Sequence, residues 1–280
     1  MQPLTTQLLG YPADARLLIL NIDDYGFCYT ANTSAVYTLE NGIASSCTVM
    51  LPPPWGKHAC KLLRERPHLS HGVHLTTISE HEIYRWRPLT SPHRISSLVD
   101  GEGFFPLETE RSSLLQRAAV YEIEIEWRAQ IERALAEGLH PQQLDSHCNI
   151  HDAREDIFWM TVRLAREYGL ALRVHQPELI QALKGQGLPT LDYPDLDSFD
   201  LPTRGKAQRY LHMLRQLPAG ISEWAIHPAR GTAELRTINP RWRVRAADYA
   251  FFNSEDCRRT IQEEGIQIVS YQLLQPSWKN

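Results

Sequence analysis

Apolar runs of four to six residues recur along the chain and alternate with longer stretches of helical period. Leu17–Ile22 (LLILNI) is almost wholly apolar, the pattern of a strand covered on both faces. It ends in the turn-forming Asp23-Asp24-Tyr25-Gly26, and a helix is expected over residues 30–40, closed by Asn41-Gly42. Further strands are predicted at Ser46–Met50, Ser70–Leu75, Gln143–Ser146, Leu170–Val174, Ile221–Ile226 and Ile266–Ser270. Helices are predicted between them at 55–66, 152–168, 206–217 and 255–264. Ile123, Trp127, Ile131 and Leu135 add another, because they recur every four residues before Gly138. Residues 76–111 and 184–203 have no regular period, and unpatterned segments of that length are usually functional. Strands alternating with helices predict an α/β protein with a mostly parallel sheet. No repeat, linker or low-complexity block divides residues 1–280, so one domain with a core from about 16 to 271 is expected.

In such folds the chemistry gathers at the carboxyl ends of the strands. Those ends carry Asp23 and Asp24, His74, Asp145-Ser146-His147 with His151 shortly after, Arg173, and His227. Each has an ordinary explanation taken singly. An Asp pair before Tyr-Gly is more often a turn or cap, a lone histidine is more often a satisfied buried one, and Arg173 could pair with a helix. Together those explanations require five coincidences at one end of one sheet. A carboxylate with two imidazoles leaves open positions on a divalent cation, as a metal hydrolase needs. His58, His68, His81, His93, His140 and His212 are expected at the surface, and His71 and His175 in strands, buried and hydrogen-bonded.

Composition narrows the class. Twenty-nine basic against 33 acidic residues give a net charge of −4, which argues against a nucleic-acid or anionic-membrane partner. Five scattered cysteines without a CxxC pair predict reduced thiols in a cytoplasmic protein. The opening MQPLTTQLLGYPADAR lacks the basic and apolar regions of a signal peptide, and no run is long enough for a membrane helix.

The segments Asn21-Ile-Asp-Asp-Tyr-Gly26, Asn41-Gly-Ile-Ala-Ser-Ser46, Gly72-Val-His-Leu75, Asp145-Ser-His-Cys-Asn-Ile-His151 and Ile226-His-Pro228 resemble those of the YdjC-like carbohydrate deacetylases, which include chito-oligosaccharide deacetylases. Ser97–Phe104 and the Leu172-Arg173 strand follow in the same order, so the resemblance spans about Arg16 to Tyr271. It implies a distorted (β/α) barrel, TIM-barrel-like with fewer than eight regular units, and one divalent metal ion. On the matching positions Asp24, His74 and His147 would be the metal ligands, Asp23 the general base, His227 the general acid, and Arg173 the residue that holds the base or substrate. The implied reaction is removal of N-acetyl groups from an amino sugar or short oligosaccharide, with metal-bound water as nucleophile. Ile22 stands where a small residue is common, and Cys148-Asn149 where relatives often carry histidine or glutamine.

Zinc, cobalt or ferrous iron suit two imidazoles and a carboxylate, whereas water-rich octahedral binding suits Mg2+; sequence leaves Mg2+ and Zn2+ both open. Tyr25, Trp55, Phe104 and Phe105 are candidate sugar-stacking surfaces, with core packing the commoner role for each. The competing readings are a metal-dependent phosphoesterase and a non-catalytic sugar-binding module. The first lacks a second carboxylate set and a Gly-rich phosphate cradle, and the second has no need of adjacent acids. A homodimer is compatible with the sequence.

Overall fold

In the computed structural model, which describes residues 3–279, the first apolar run becomes β1 (Arg16–Tyr25), the central strand of one parallel sheet. Around it lie β2 (Ser46–Val49), β3 (His71–Leu75), β4 (Gln143–Ser146), β5 (Ala171–Leu172), β6 (Leu196–Asp197), β7 (Gly220–Ile226) and β8 (Gln267–Val269). The order is β5-β4-β3-β2-β1-β7-β6. β8 pairs with β1 at Leu17–Ile19, below the point where β2 joins it at Asn21. Every pairing is parallel, so all the strands deliver their carboxyl ends to one rim.

The result is the expected barrel-like α/β fold with fewer than eight regular units. It stays open between β5 and β6, where no backbone ladder among the described residues joins the ends of the path. Side chains span that gap instead. Arg173, just past β5, binds Glu223 of β7 with Nε–Oε1 2.8 Å, and His175 pairs with Asp195 before β6.

Leu17, Leu18, Ile19 and Leu20 are fully buried, as a strand covered on both faces must be. Helices Tyr29–Asn41, Gly56–Arg64, Val120–Ala136, Glu155–Tyr168, Lys206–Arg215 and Glu255–Glu263 pack outside the sheet near their predicted places. Gly72 lets β3 lie against β4, since a Cβ there would stand 2.5 Å from the Gln143 carbonyl oxygen.

The differences from expectation lie where the apolar period is weak. Residues 76–111 hold three short 3₁₀ turns and lead into helix Arg111–Arg117. The segment 184–203 contains β6, two residues long. A helix at Trp242–Phe252 was not expected, because its buried positions include Arg245 and Asp248 and so break the apolar stripe. The helix read as starting at Asp152 starts at Glu155, which leaves His151 in the turn before it. All five cysteines are unpaired, and no helix among the described residues is long and apolar enough to cross a membrane.

Candidate metal centre

The end of β1 sets the geometry. Asp24 has φ 59°, and the β1–β2 ladder slips between Ile22 and Tyr25. Left-handed backbone costs an ordinary residue about 1–2 kcal/mol and is less unfavourable for Asp or Asn. It breaks the strand's alternation, so Asp23 and Asp24 both line the cleft above the rim. Gly26 (φ 111°) completes the turn, because a Cβ there would lie 2.4 Å from the Met50 carbonyl oxygen.

Asp24, His74 and His147 converge, with one donor atom from each within 4.8 Å of the others. Asp24 Oδ1 lies 3.0 Å from His147 Nδ1 and 3.4 Å from His74 Nε2. His74 is held from behind, its Nδ1 2.7 Å from Asp145 Oδ1, while Thr48 Oγ1 donates to Asp145 Oδ2 at 2.9 Å. His147 Nε2 is buried without a hydrogen-bond partner. Two imidazoles, one oriented by a carboxylate and one with an unsatisfied nitrogen, beside a shared carboxylate oxygen form a donor set that fits a divalent cation. Burial alone would lower the His74 pKa, but Asp145, Asp24 and Asp23 override it and raise it to about 9.

Asp23 is gripped by Arg173 through two bonds of 2.7 Å, with Asn21 Nδ2 donating to Oδ1 at 2.8 Å. Burial would push its carboxyl up, but the guanidinium holds it well below the usual carboxylate range. Arg173 also lies 3.0 Å from Asp145 Oδ2, so one buried cation serves three acids. Glu223, fully buried, accepts a hydrogen bond from Tyr271 Oη, and burial lifts its pKa to about 7 despite Arg173. His227 enters from the end of β7, its Nε2 3.9 Å from Asp24 Oδ2, its ring 4.7 Å from Phe199 and its Nδ1 without a partner.

Thus all six predicted site residues meet in one cleft of about 1010 Å³, including the solvent at its mouth. His151 does not join them. It is fully buried, accepting from Ser146 Oγ at Nδ1 (2.7 Å) and donating from Nε2 to the Arg173 carbonyl (3.0 Å). His81, expected at the surface, lines the cleft beside Glu80.

Tyr25 and Phe105 are fully buried, Trp55 packs on Tyr29 and His58, and Phe104 lies against Arg85 and Arg87. The aromatic ring lining the cleft is Phe199, just past the unforeseen β6. Sequence reasoning also missed Arg245 and Glu80. Arg245 Nη2 binds Asp24 Oδ2 at 2.6 Å and Glu80 Oε1 at 3.1 Å.

Fold and site together define a parallel α/β barrel with an Asp-His-His cluster and an arginine-clamped acid on its carboxyl rim. The chain belongs to the family of YdjC-like proteins, whose family model matches residues 17–263. A protein of Geobacillus stearothermophilus named carbohydrate deacetylase is 28% identical over 259 residues, covering 91% of this chain and 97% of its own length. Another of that name from Clostridium beijerinckii is 31% identical over 255 residues, covering 91% and 98%. A crystal structure from Enterococcus faecalis, named as a candidate cellobiose-phosphate cleavage protein, superposes with a TM-score of 0.81 at 26% identity. That match covers 93% of this chain and 99% of the other.

Proposed function

We propose that residues 1–280 form a single-domain, metal-dependent hydrolase that removes N-acetyl groups from an amino sugar or short oligosaccharide. The observation that carries this reading is the convergence of Asp24, His74 and His147 within 4.8 Å beside Asp23 and His227. The relatives named carbohydrate deacetylases make an acetylated sugar the substrate of choice.

Asp24, His74 and His147 would hold one divalent ion, with Zn2+ and Mg2+ the leading candidates. When bound, such an ion supplies Lewis acidity, lowering the pKa of water towards about 7 and polarising an amide carbonyl. Asp23 takes the proton of the attacking water. Arg173 occupies one direction on each Asp23 oxygen and Asn21 a second on Oδ1, so one lone pair, on Oδ2, remains to accept it. The same clamp keeps Asp23 ionised across neutral pH, so its carboxylate carries no proton when water meets it. His227 gives a proton to the departing amine nitrogen, a role that typically contributes about 10²–10⁴-fold. Phe199 backs its ring, which leaves the imidazole edge for the leaving group.

Acetate release from N-acetylated chito-oligosaccharides, measured before and after chelation and with Zn2+ or Mg2+ restored, tests the reading. Metal-dependent acetate release is the expected result. A protein that binds no divalent ion after reconstitution, or binds it and releases phosphate from aryl phosphates but no acetate from any acetylated sugar, overturns it.

A further inference from the structure

Arg245 is 1% exposed, on a helix that leaves no apolar reason for a guanidinium, and it reaches the site from behind. Its plane lies against Phe27 and Phe199, with its central carbon 5.1 and 5.3 Å from the two ring centres, so it has little freedom to turn. Nη2 contacts Asp24 Oδ2 at 2.6 Å and Glu80 Oε1 at 3.1 Å. The other oxygens of these two acids face elsewhere. Asp24 Oδ1 is directed at the two imidazoles, and Glu80 Oε2 accepts from Asn239 Nδ2 at 2.9 Å. Glu80 Oε1 is also only 3.7 Å from the unpartnered Nε2 of His147. A second acid thus stands at the edge of the donor set, held to a cation rather than free to join it.

We infer that Arg245 is a positioning residue that withholds Asp24 Oδ2 and Glu80 Oε1 from the metal, so that the ion keeps open coordination positions for water and substrate. The inference rests on Asp24, His74 and His147 being the metal-holding residues. The physical argument concerns competition. Hard and borderline cations take up carboxylate oxygens readily, and a catalytic site differs from a closed structural one by the position it leaves free. An arginine bonded to both spare oxygens is always charged and cannot give them up by titrating.

This differs from a merely structural or electrostatic part in the coordination that one measurement reads. Loss of a guanidinium beside the site favours a cation by charge alone and leaves the set of ligands as it was. If Arg245 withholds oxygens, its removal admits carboxylate to the ion, so the coordination spectrum changes as binding strengthens and activity falls.

The experiment uses the full chain, Co2+ as the probe ion, isothermal titration for affinity and the visible d–d spectrum for coordination. Arg245→Met is expected to bind Co2+ at least about tenfold more tightly than wild type, with an altered spectrum and lower kcat. Adding Glu80→Gln to Arg245→Met should return most of that affinity, because the amide is a poorer ligand than the carboxylate it replaces. Arg245→Gln, which retains a donor for one acid, is made in parallel and serves if the Met variant does not fold. An unchanged spectrum in the folded variant, at any affinity, or weaker affinity overturns the inference and leaves the metal assignment intact. Wild type failing to bind Co2+ overturns both.

Discussion

His74 Nδ1 lies 2.7 Å from Asp145 Oδ1, and that one bond decides which imidazole nitrogen faces the cleft. Both residues are buried, on neighbouring strands whose register sets them directly opposite each other. Asp145 thus fixes the ring and raises its basicity, as carboxylates behind metal-binding histidines do. Asp145→Asn is expected to weaken divalent-metal affinity about 10–100-fold. Competition with a chromophoric chelator reads this out, and unchanged affinity would deny Asp145 that role.

His227 contacts no proposed ligand closely and is 3.9 Å from the nearest oxygen of Asp24. His227→Ala should therefore keep its metal while kcat falls by about 10²–10⁴-fold. Metal content by elemental analysis and acetate release from one sample separate the two. A variant with full metal and wild-type kcat would remove His227 from the chemistry.

Arg173 is the shared cation of Asp23, Asp145 and Glu223. Arg173→Met leaves buried carboxylates unpaired, and breaking such a network typically costs about 3–5 kcal/mol. A large drop in the urea midpoint is the expected result, with activity lost even where the fold is retained. A midpoint within experimental error of wild type would mean that these acids find other partners.

His151 offers a pH signature away from the proposed metal ligands. Burial holds its pKa down to about 4. An unfolded chain would take a proton near 6.5, so its contribution to stability is complete above that value and is lost as pH falls towards 4. The span corresponds to roughly 3 kcal/mol. Urea midpoints of wild type should decline between pH 6.5 and 4.5 more steeply than those of His151→Gln, whose side chain cannot take up the proton. Parallel pH profiles in the two proteins would contradict this.

What could be read from the sequence was whatever the strand period exposes. Asp23, Asp24, His74, Arg173 and His227 each end or follow an apolar run and His147 follows the short strand Gln143–Ser146, so the parallel topology brings them to one rim. The rest was hidden for a physical reason. Arg245 occupies a buried helical position where apolar periodicity expects a hydrocarbon. Glu80 and Phe199 lie in segments without a period, and Glu223 sits as a lone acid inside the otherwise apolar β7. A buried charge registers as noise in a hydrophobic pattern until its counter-charge, more than a hundred residues away for Arg245 and Asp24, is seen beside it.

The opening between β5 and β6 gives the cleft one adjustable wall. Phe199 and Asp200 stand just past β6 on one side of it, and His175 just past β5 on the other. Spreading that seam breaks side-chain ion pairs and no backbone ladder, whereas spreading any other joint would tear a strand pairing. Changes in the chain between residues 175 and 200 can therefore resize the cleft while the Asp-His-His corner, set on the paired strands β1, β3 and β4, stays where it is.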